Sequence, residues 1–290
     1  MRDQGPYQVV CGPDLPVAKL VIGKPAVEAA ALLPRLFNLC RAAQATAAAM
    51  AMGLPAPDVD LSGEILRDHL VKLTLTWPRL VGLDPLPLPK NWQAGGAALL
   101  DQLFETRFPE TPEAFEAALL SGAGLAPFFV ALAKSLPPGF GAGPALPVMQ
   151  DPEAFAPGAY ENSVAGRQVD HPVLRAIEAT RGRDLYWRAV ARLYDLADAA
   201  QGNLPPPRMA GAGRVLVPAA RGTYAVAATL EAGVVTEFTR VTPTDHLLAE
   251  NGIADITIAG FADPDQRTIH LAMDILDPCI PMELKERNHA

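Results

Sequence analysis

Apolar positions along the chain follow a helical rhythm through most of the first two hundred residues and switch to a strand rhythm near residue 222. Residues 7–22 carry short apolar runs broken by Gly12, Pro13 and Pro16, which predicts one or two strands. Pro25 then suits a helix start, and the helix is expected to run to Pro34. The Ala-rich segment 35–52 predicts a second helix that carries Cys40 and stops at Gly53. Further helical patterns occupy 61–76, 93–105, 112–120 and 125–135. The Pro/Gly-rich stretch 136–147 is a soft boundary inside what reads as one domain spanning residues 1–290. Beyond a short segment near 153–160, residues 171–200 read as one long amphipathic helix, kinked at Gly182. "GTYAVAATL", a turn at "EAG", and "VVTEFTRVT" then read as a β-hairpin. A last helix, with Asp263 as N-cap and Pro264 at its first position, ends just before Cys279. The class is therefore mainly α with a small β portion, an α+β fold.

Composition sharpens this picture. Half of the 290 residues are hydrophobic and only 6% aromatic, so a large core is expected, built from closely packed Ala-rich helices. The formal charge of −8 comes from 32 acidic against 24 basic residues, and no Lys/Arg-rich block occurs. A nucleic-acid backbone is accordingly not expected as a partner. The N-terminal residues lack the apolar run of a secretory signal. The longest uncharged stretch, Ala118–Ala133, is broken by Gly122, Gly124 and Pro127 and is shorter than the roughly 20 apolar residues that cross a bilayer. Membrane insertion is not expected, and the chain reads as cytoplasmic. Three cysteines, Cys11, Cys40 and Cys279, are too few and too uneven for a disulfide framework.

The five histidines have no close metal-ligand spacing, and each alone reads as a surface or core residue. No nucleophile elbow, phosphate loop or dinucleotide fingerprint occurs. The cysteines remain. Cys40 alone reads as a small core hydrophobe, while Cys279 follows Asp277-Pro278 in a constrained loop setting. Cys11 reads as a buried or edge cysteine, or as an auxiliary thiol if the first strand lies near the others.

Their contexts carry a resemblance. "RLFNLCRAAQ" (35–44) resembles the Arg-x-Cys-Gly-x-Cys motif of [NiFe]-hydrogenase large subunits, with Arg35 and Cys40 matching and Phe37 in the first Cys position. "DPCIPM" (277–282) resembles their C-terminal Asp-Pro-Cys-x-x-Cys motif, with Met282 in place of the second Cys. "VPAARGTYAV" (217–226) looks like their Glu-Ala-Pro-Arg-Gly segment through Arg221-Gly222. "VTPTDH" (241–246) looks like their Val-x-Pro-Thr/Ser segment through Pro243 and Thr244. The four pieces keep the family's order; between residues 55 and 150 the match is weak. Half-lost cysteine motifs on a shorter chain resemble the HupK family of hydrogenase maturation proteins, HoxV-type members included.

That resemblance implies a trimmed large-subunit fold and a function without hydrogen chemistry. Two of four metal-binding cysteines are absent, and neither Phe37 nor Met282 supplies a thiolate, so no nickel is expected. Ile22 stands where the family has a proton-handling Glu, and Lys285 stands where it has the His that marks tail cleavage. What the resemblance retains suits an iron carrying two cyanides and one carbon monoxide, Fe(CN)2(CO). Cys40 and Cys279 would be its metal ligands, with Arg221, Pro243 and Thr244 around the cyanides. The implied role is a scaffold or chaperone for that unit. The implied partners are a HypC-type chaperone, a HypD-type assembly protein and the hydrogenase large subunit. A divergent redox-active large subunit, or a metal-free mimic that binds accessory proteins, are the alternatives.

Overall fold

The computed structural model describes residues 7–12, 15–261 and 264–286. The chain opens with β1 (Tyr7–Cys11), followed by α1 (Val17–Val21), α2 (Ala26–Leu36) and α3 (Arg41–Ala51). Next, α4 (Leu61–Leu70) passes through a π-helical turn at Val71–Thr76 into α5 (Trp77–Leu80). Then come α6 (Gly96–Phe104), α7 (Pro112–Ser121), α8 (Ala126–Ser135), α9 (Val164–Arg167), α10 (Pro172–Arg181) and α11 (Leu185–Gln201). The β portion comprises β2 (Arg208–Met209), β3 (Arg214–Ala219), β4 (Gly222–Glu231) and β5 (Val234–Val241). The chain closes with α12 (Pro243–Leu247), α13 (Ile253–Ala259), α14 (Gln266–Leu276) and β6 (Met282–Glu286). The fold is mainly helical with two small antiparallel sheets among the described residues, as the periodicity predicts.

Helix α11 is the axis of the larger core. Every residue from Leu185 to Ala197 is buried, Trp187 among them, and Trp77, Phe104, Phe128 and Phe129 belong to the same core. Each such side chain contributes roughly 1.5–3 kcal/mol by leaving water. This core draws on residues from Tyr7 to Leu284, on both sides of the 136–147 stretch. A second core forms where the small-residue faces of α2 and α3 lie on the sheet β2–β3–β4–β5. Ala43, Ala47 and Ala51 let the helix approach Val215, Val217 and Val226 closely.

Four local differences from the sequence reading matter. Residues Val17–Val21 are helical rather than extended, their valines buried against the sheet. Helix α2 runs two residues past Pro34, which costs one hydrogen bond within its last turn. Cys40 then lies ahead of α3 rather than inside it, in left-handed conformation at φ 51°. The expected single helix over 171–200 is two, because Gly182 at φ 68° ends α10 and Asp184 caps α11 by accepting from Trp187 N. Asp263 lies outside the described residues; the N-cap of α14 is Asp265, which accepts from Thr268 N at 2.7 Å. The strand β6 pairs with β1, joining Cys11 to Met282 across the ladder. No single helix among the described residues is long and apolar enough to cross a membrane.

Candidate functional site

Four chain breaks converge on one cavity of about 300 Å3. They are the gap between α2 and α3, the turn between β3 and β4, the step from β5 into α12, and the exit from α14. The cavity is lined by Phe37, Cys40, Arg221, Pro243, Thr244 and Cys279, together with Gln44, Tyr224, Arg240 and Thr242. The two thiols, 239 residues apart in sequence, thus share one space with all three residues the motifs assign to the cyanides.

Each residue is held by its local geometry. The β3–β4 connection has the two-residue loop Ala220-Arg221, since Ala219 pairs with Gly222. Gly222 has φ 145°, and a Cβ there would sit 2.7 Å from Asn162 Oδ1, so the turn requires glycine. Asn162 clamps the turn further, donating to Thr223 O at 2.9 Å and accepting from Thr223 N at 2.7 Å. Arg167 donates to the Ala219 and Gly222 carbonyls at 3.1 and 2.8 Å. At α12, Thr242 and Asp245 form a reciprocal capping box with Pro243 in the first helical position. This fixes Thr244, whose hydroxyl accepts from Cys279 N at 2.9 Å and keeps its own hydrogen for another acceptor. Asp277 caps α14 at φ 51°, and Pro278 forbids continuation of the helix.

A charged cluster backs the cavity through Arg221, its member in the lining. The Arg221 guanidinium donates to Asp277 O and to Asp277 Oδ1, both at 3.0 Å. Asp277 also takes Arg192 at 3.0 Å and Lys72 at 3.1 Å. Burial would raise the Asp277 carboxyl, but Arg192, Arg221 and Lys72 outweigh it and hold it below the usual range. Asp68 lies 3.3 Å from Arg192 and 3.8 Å from Arg221. Beyond this cluster, buried His69 bridges Asp195 (2.7 Å) and Arg192 (3.1 Å). Arginine only donates, so His69 accepts through Nδ1 and donates from Nε2. Its burial lowers its pKa, consistent with a neutral ring.

The thiols face the opposite regime. Arg221 Nη1 lies 3.7 Å from Cys40 Sγ, and Cys279 Sγ lies 4.0 Å from Thr242 Oγ1, contacts typical of a weakly bonding sulfur. Burial pushes the Cys40 thiol up to about 11 against the pull of Arg221. It is therefore protonated near neutrality, and a metal that binds there must displace the proton. Gln44 donates to Leu39 O at 2.8 Å, while its buried Oε1 has no partner among the described residues. Among the described residues no three His, Cys, Asp or Glu side chains gather as a metal cluster.

Met282 and Lys285 border a neighbouring groove of about 600 Å3 between α14 and β6, which meets the cavity at Leu39 and Arg221. Ile22 is 46% exposed at the end of α1 and lies outside the cavity lining. Cys11 is exposed. The sequence reading missed Asp68, Lys72, Arg192, Gln44 and Tyr224. Asp68 and Lys72 stand four apart where α4 runs into the π-helical turn, and Arg188 and Arg192 stand four apart on α11, a spacing that says nothing about partners elsewhere in the chain.

No family model matches the chain. The hydrogenase expression/formation protein HupK of Rhodobacter capsulatus is 48% identical over 278 residues, covering 95% of this chain and 92% of that protein. The hydrogenase expression/formation protein HupV of Azotobacter chroococcum mcd 1 is 27% identical over 309 residues, covering 93% and 90%. Among solved structures, the Ni-Fe-Se hydrogenase of D. vulgaris Hildenborough superposes with a TM-score of 0.57 at 13% identity, covering 92% of each chain. The [NiFeSe]-hydrogenase of Dm. baculatum gives 0.56 at 11%, covering 95% of this chain and 96% of that one. At such identities the structures speak for fold, which is that of a hydrogenase large subunit. The 48% identity across nearly all of both chains establishes the rest: this chain belongs to the HupK family of hydrogenase expression/formation proteins.

Proposed function

We propose that the chain is a non-catalytic scaffold of hydrogenase maturation, which holds an Fe(CN)2(CO) unit as cargo and passes it to a large subunit. The observation that carries this reading is the meeting of Cys40 and Cys279 in one cavity with Arg221 and Thr244. Two thiolates anchor the iron, and the three diatomic ligands occupy further positions. Cyanide nitrogens accept hydrogen bonds, and buried acceptors need donors. Arg221 has five N–H groups, and its bonds to Asp277 and the Cys40 contact leave donors over. The free Thr244 hydroxyl hydrogen supplies another, with Pro243 as an apolar neighbour. Nickel has no place in this account, since Phe37 lines the cavity where a further thiolate would be needed. The scaffold acts in the cytoplasm, receiving the unit from a HypC-type chaperone with a HypD-type assembly protein and delivering it to the large subunit.

The test is infrared spectroscopy of protein purified anaerobically from cells that express the maturation machinery. Bands in the cyanide and carbonyl stretching region are expected for wild type and are expected to vanish in Cys40→Ala and Cys279→Ala. A blank wild-type spectrum, or bands that persist in both variants, would overturn the proposal.

A further inference from the structure

Arg221 also borders a second cavity of about 30 Å3, room for a single water molecule. Three guanidinium side chains line it, Arg188, Arg192 and Arg221, together with Ser163 and the last two residues of α14, Ile275 and Leu276. Arg188 is only 9% exposed. It commits Nη1 and Nη2 to Glu161 at 2.8 and 3.0 Å, but its buried Nε has no acceptor among the described residues. A buried N–H without an acceptor is costly, and such groups in folded proteins find protein or ordered water.

The cavity is also bordered by the C-terminal turn of α14, through Ile275 and Leu276. The last helical bond of α14 runs from Asp277 N to Met273 O at 3.0 Å. The carbonyls of Ile275 and Leu276 lie beyond it, in the turn where a helix leaves its acceptors unmatched. A group that accepts one hydrogen bond and donates two would complete both sides. The surrounding charge selects its class: Arg188, Arg192, Arg221 and Lys72 face Glu161, Asp68, Asp274 and Asp277 at 2.8–3.8 Å. Four cations against four carboxylates leave no surplus positive charge to hold an anion.

We propose that this cavity is a binding site for one ordered water, which accepts from Arg188 Nε and donates to the terminal carbonyls of α14. The water fastens α11 to the helix end that carries Asp277, Pro278 and Cys279, and so helps set the position of the second thiol. This inference stands whether or not the larger cavity receives iron.

The test is a high-resolution crystal structure of the protein, with a parallel bromide soak measured at the bromine absorption edge. One density peak within hydrogen-bond distance of Arg188 Nε, with no anomalous signal, is the expected result. An empty cavity overturns the proposal, and so does an anomalous bromide peak. Two variants at buried Ala165, which lines the cavity, supply an independent reading. Ala165→Ser brings in a hydroxyl that can replace the water as acceptor, whereas Ala165→Val displaces it and strands the N–H. The expected order of Tm is Ser above Val; the reverse order would mark a dry cavity and overturn the proposal.

Discussion

The two sides of Arg221, one a charged cluster and the other the thiol lining of the larger cavity, are built on opposite principles. On one, Asp277 is surrounded by Lys72, Arg192 and Arg221, all within 3.1 Å, and each of those cations has a further carboxylate, histidine or sulfur neighbour. On the other, Cys40 and Cys279 make weak sulfur contacts at 3.7 and 4.0 Å, and Gln44 Oε1 has no partner among the described residues. A satisfied buried network is rigid, because moving any member strands the others. The thiol wall can form new bonds without breaking strong ones. Rigidity and reactivity are thus set side by side, with Arg221 belonging to both.

Substitutions can break this contrast in graded steps. The largest effect is expected from Asp277→Ala, which leaves three buried cations facing each other and should lower stability by about 3–5 kcal/mol in urea unfolding. Thr242→Ala removes the cap of α12 and should cost about 1 kcal/mol by the same measurement. Cys279→Ala takes away a single sulfur and should cost no more than about 1 kcal/mol. If Cys279→Ala proved as damaging as Asp277→Ala, the thiols would be structural and the contrast would fail.

Effects of pH have opposite signs on the two sides of Arg221. Cys40 titrates at about 11 in the folded protein against an ordinary 9.0. Its contribution to stability is fully present below pH 9 and is lost as pH rises toward 11, because the unfolded chain ionises first. Denaturant midpoints measured across that window should fall more steeply for wild type than for Cys40→Ala. The Asp277 carboxyl is depressed, so its contribution is present above its ordinary value of 3.8 and is lost as pH falls below it. Asp277→Asn should flatten the acid limb of the same titration.

What the sequence made legible follows the range of the interaction. The β4–β5 hairpin and helices such as α7 and α8 were readable because period, turn residues and caps are local. Both thiols, Arg221, Pro243 and Thr244 were legible through motif resemblance, and all line the same cavity. The break before α3 was not legible: "RLFNLCRAAQ" has no glycine or proline after Pro34, and the left-handed turn at Cys40 depends on tertiary packing. Val17–Val21 reads equally well as strand or helix, since five apolar-rich residues cannot establish a period. The pairing of β1 with β6 joins nearly opposite ends of the chain, and neither strand carries a sign of its partner. The ion-pair cluster was hidden for the same reason, as Lys72, Arg192, Arg221 and Asp277 come from four separate stretches.

The central claim is that the two retained thiols hold iron together. Anaerobic crystals of the protein isolated from cells with active maturation machinery, measured on both sides of the iron absorption edge, test it most directly. One anomalous peak in the cavity, bonded to both Cys40 Sγ and Cys279 Sγ, is the expected result. Iron bound elsewhere, or held by only one of the two thiols, would contradict it.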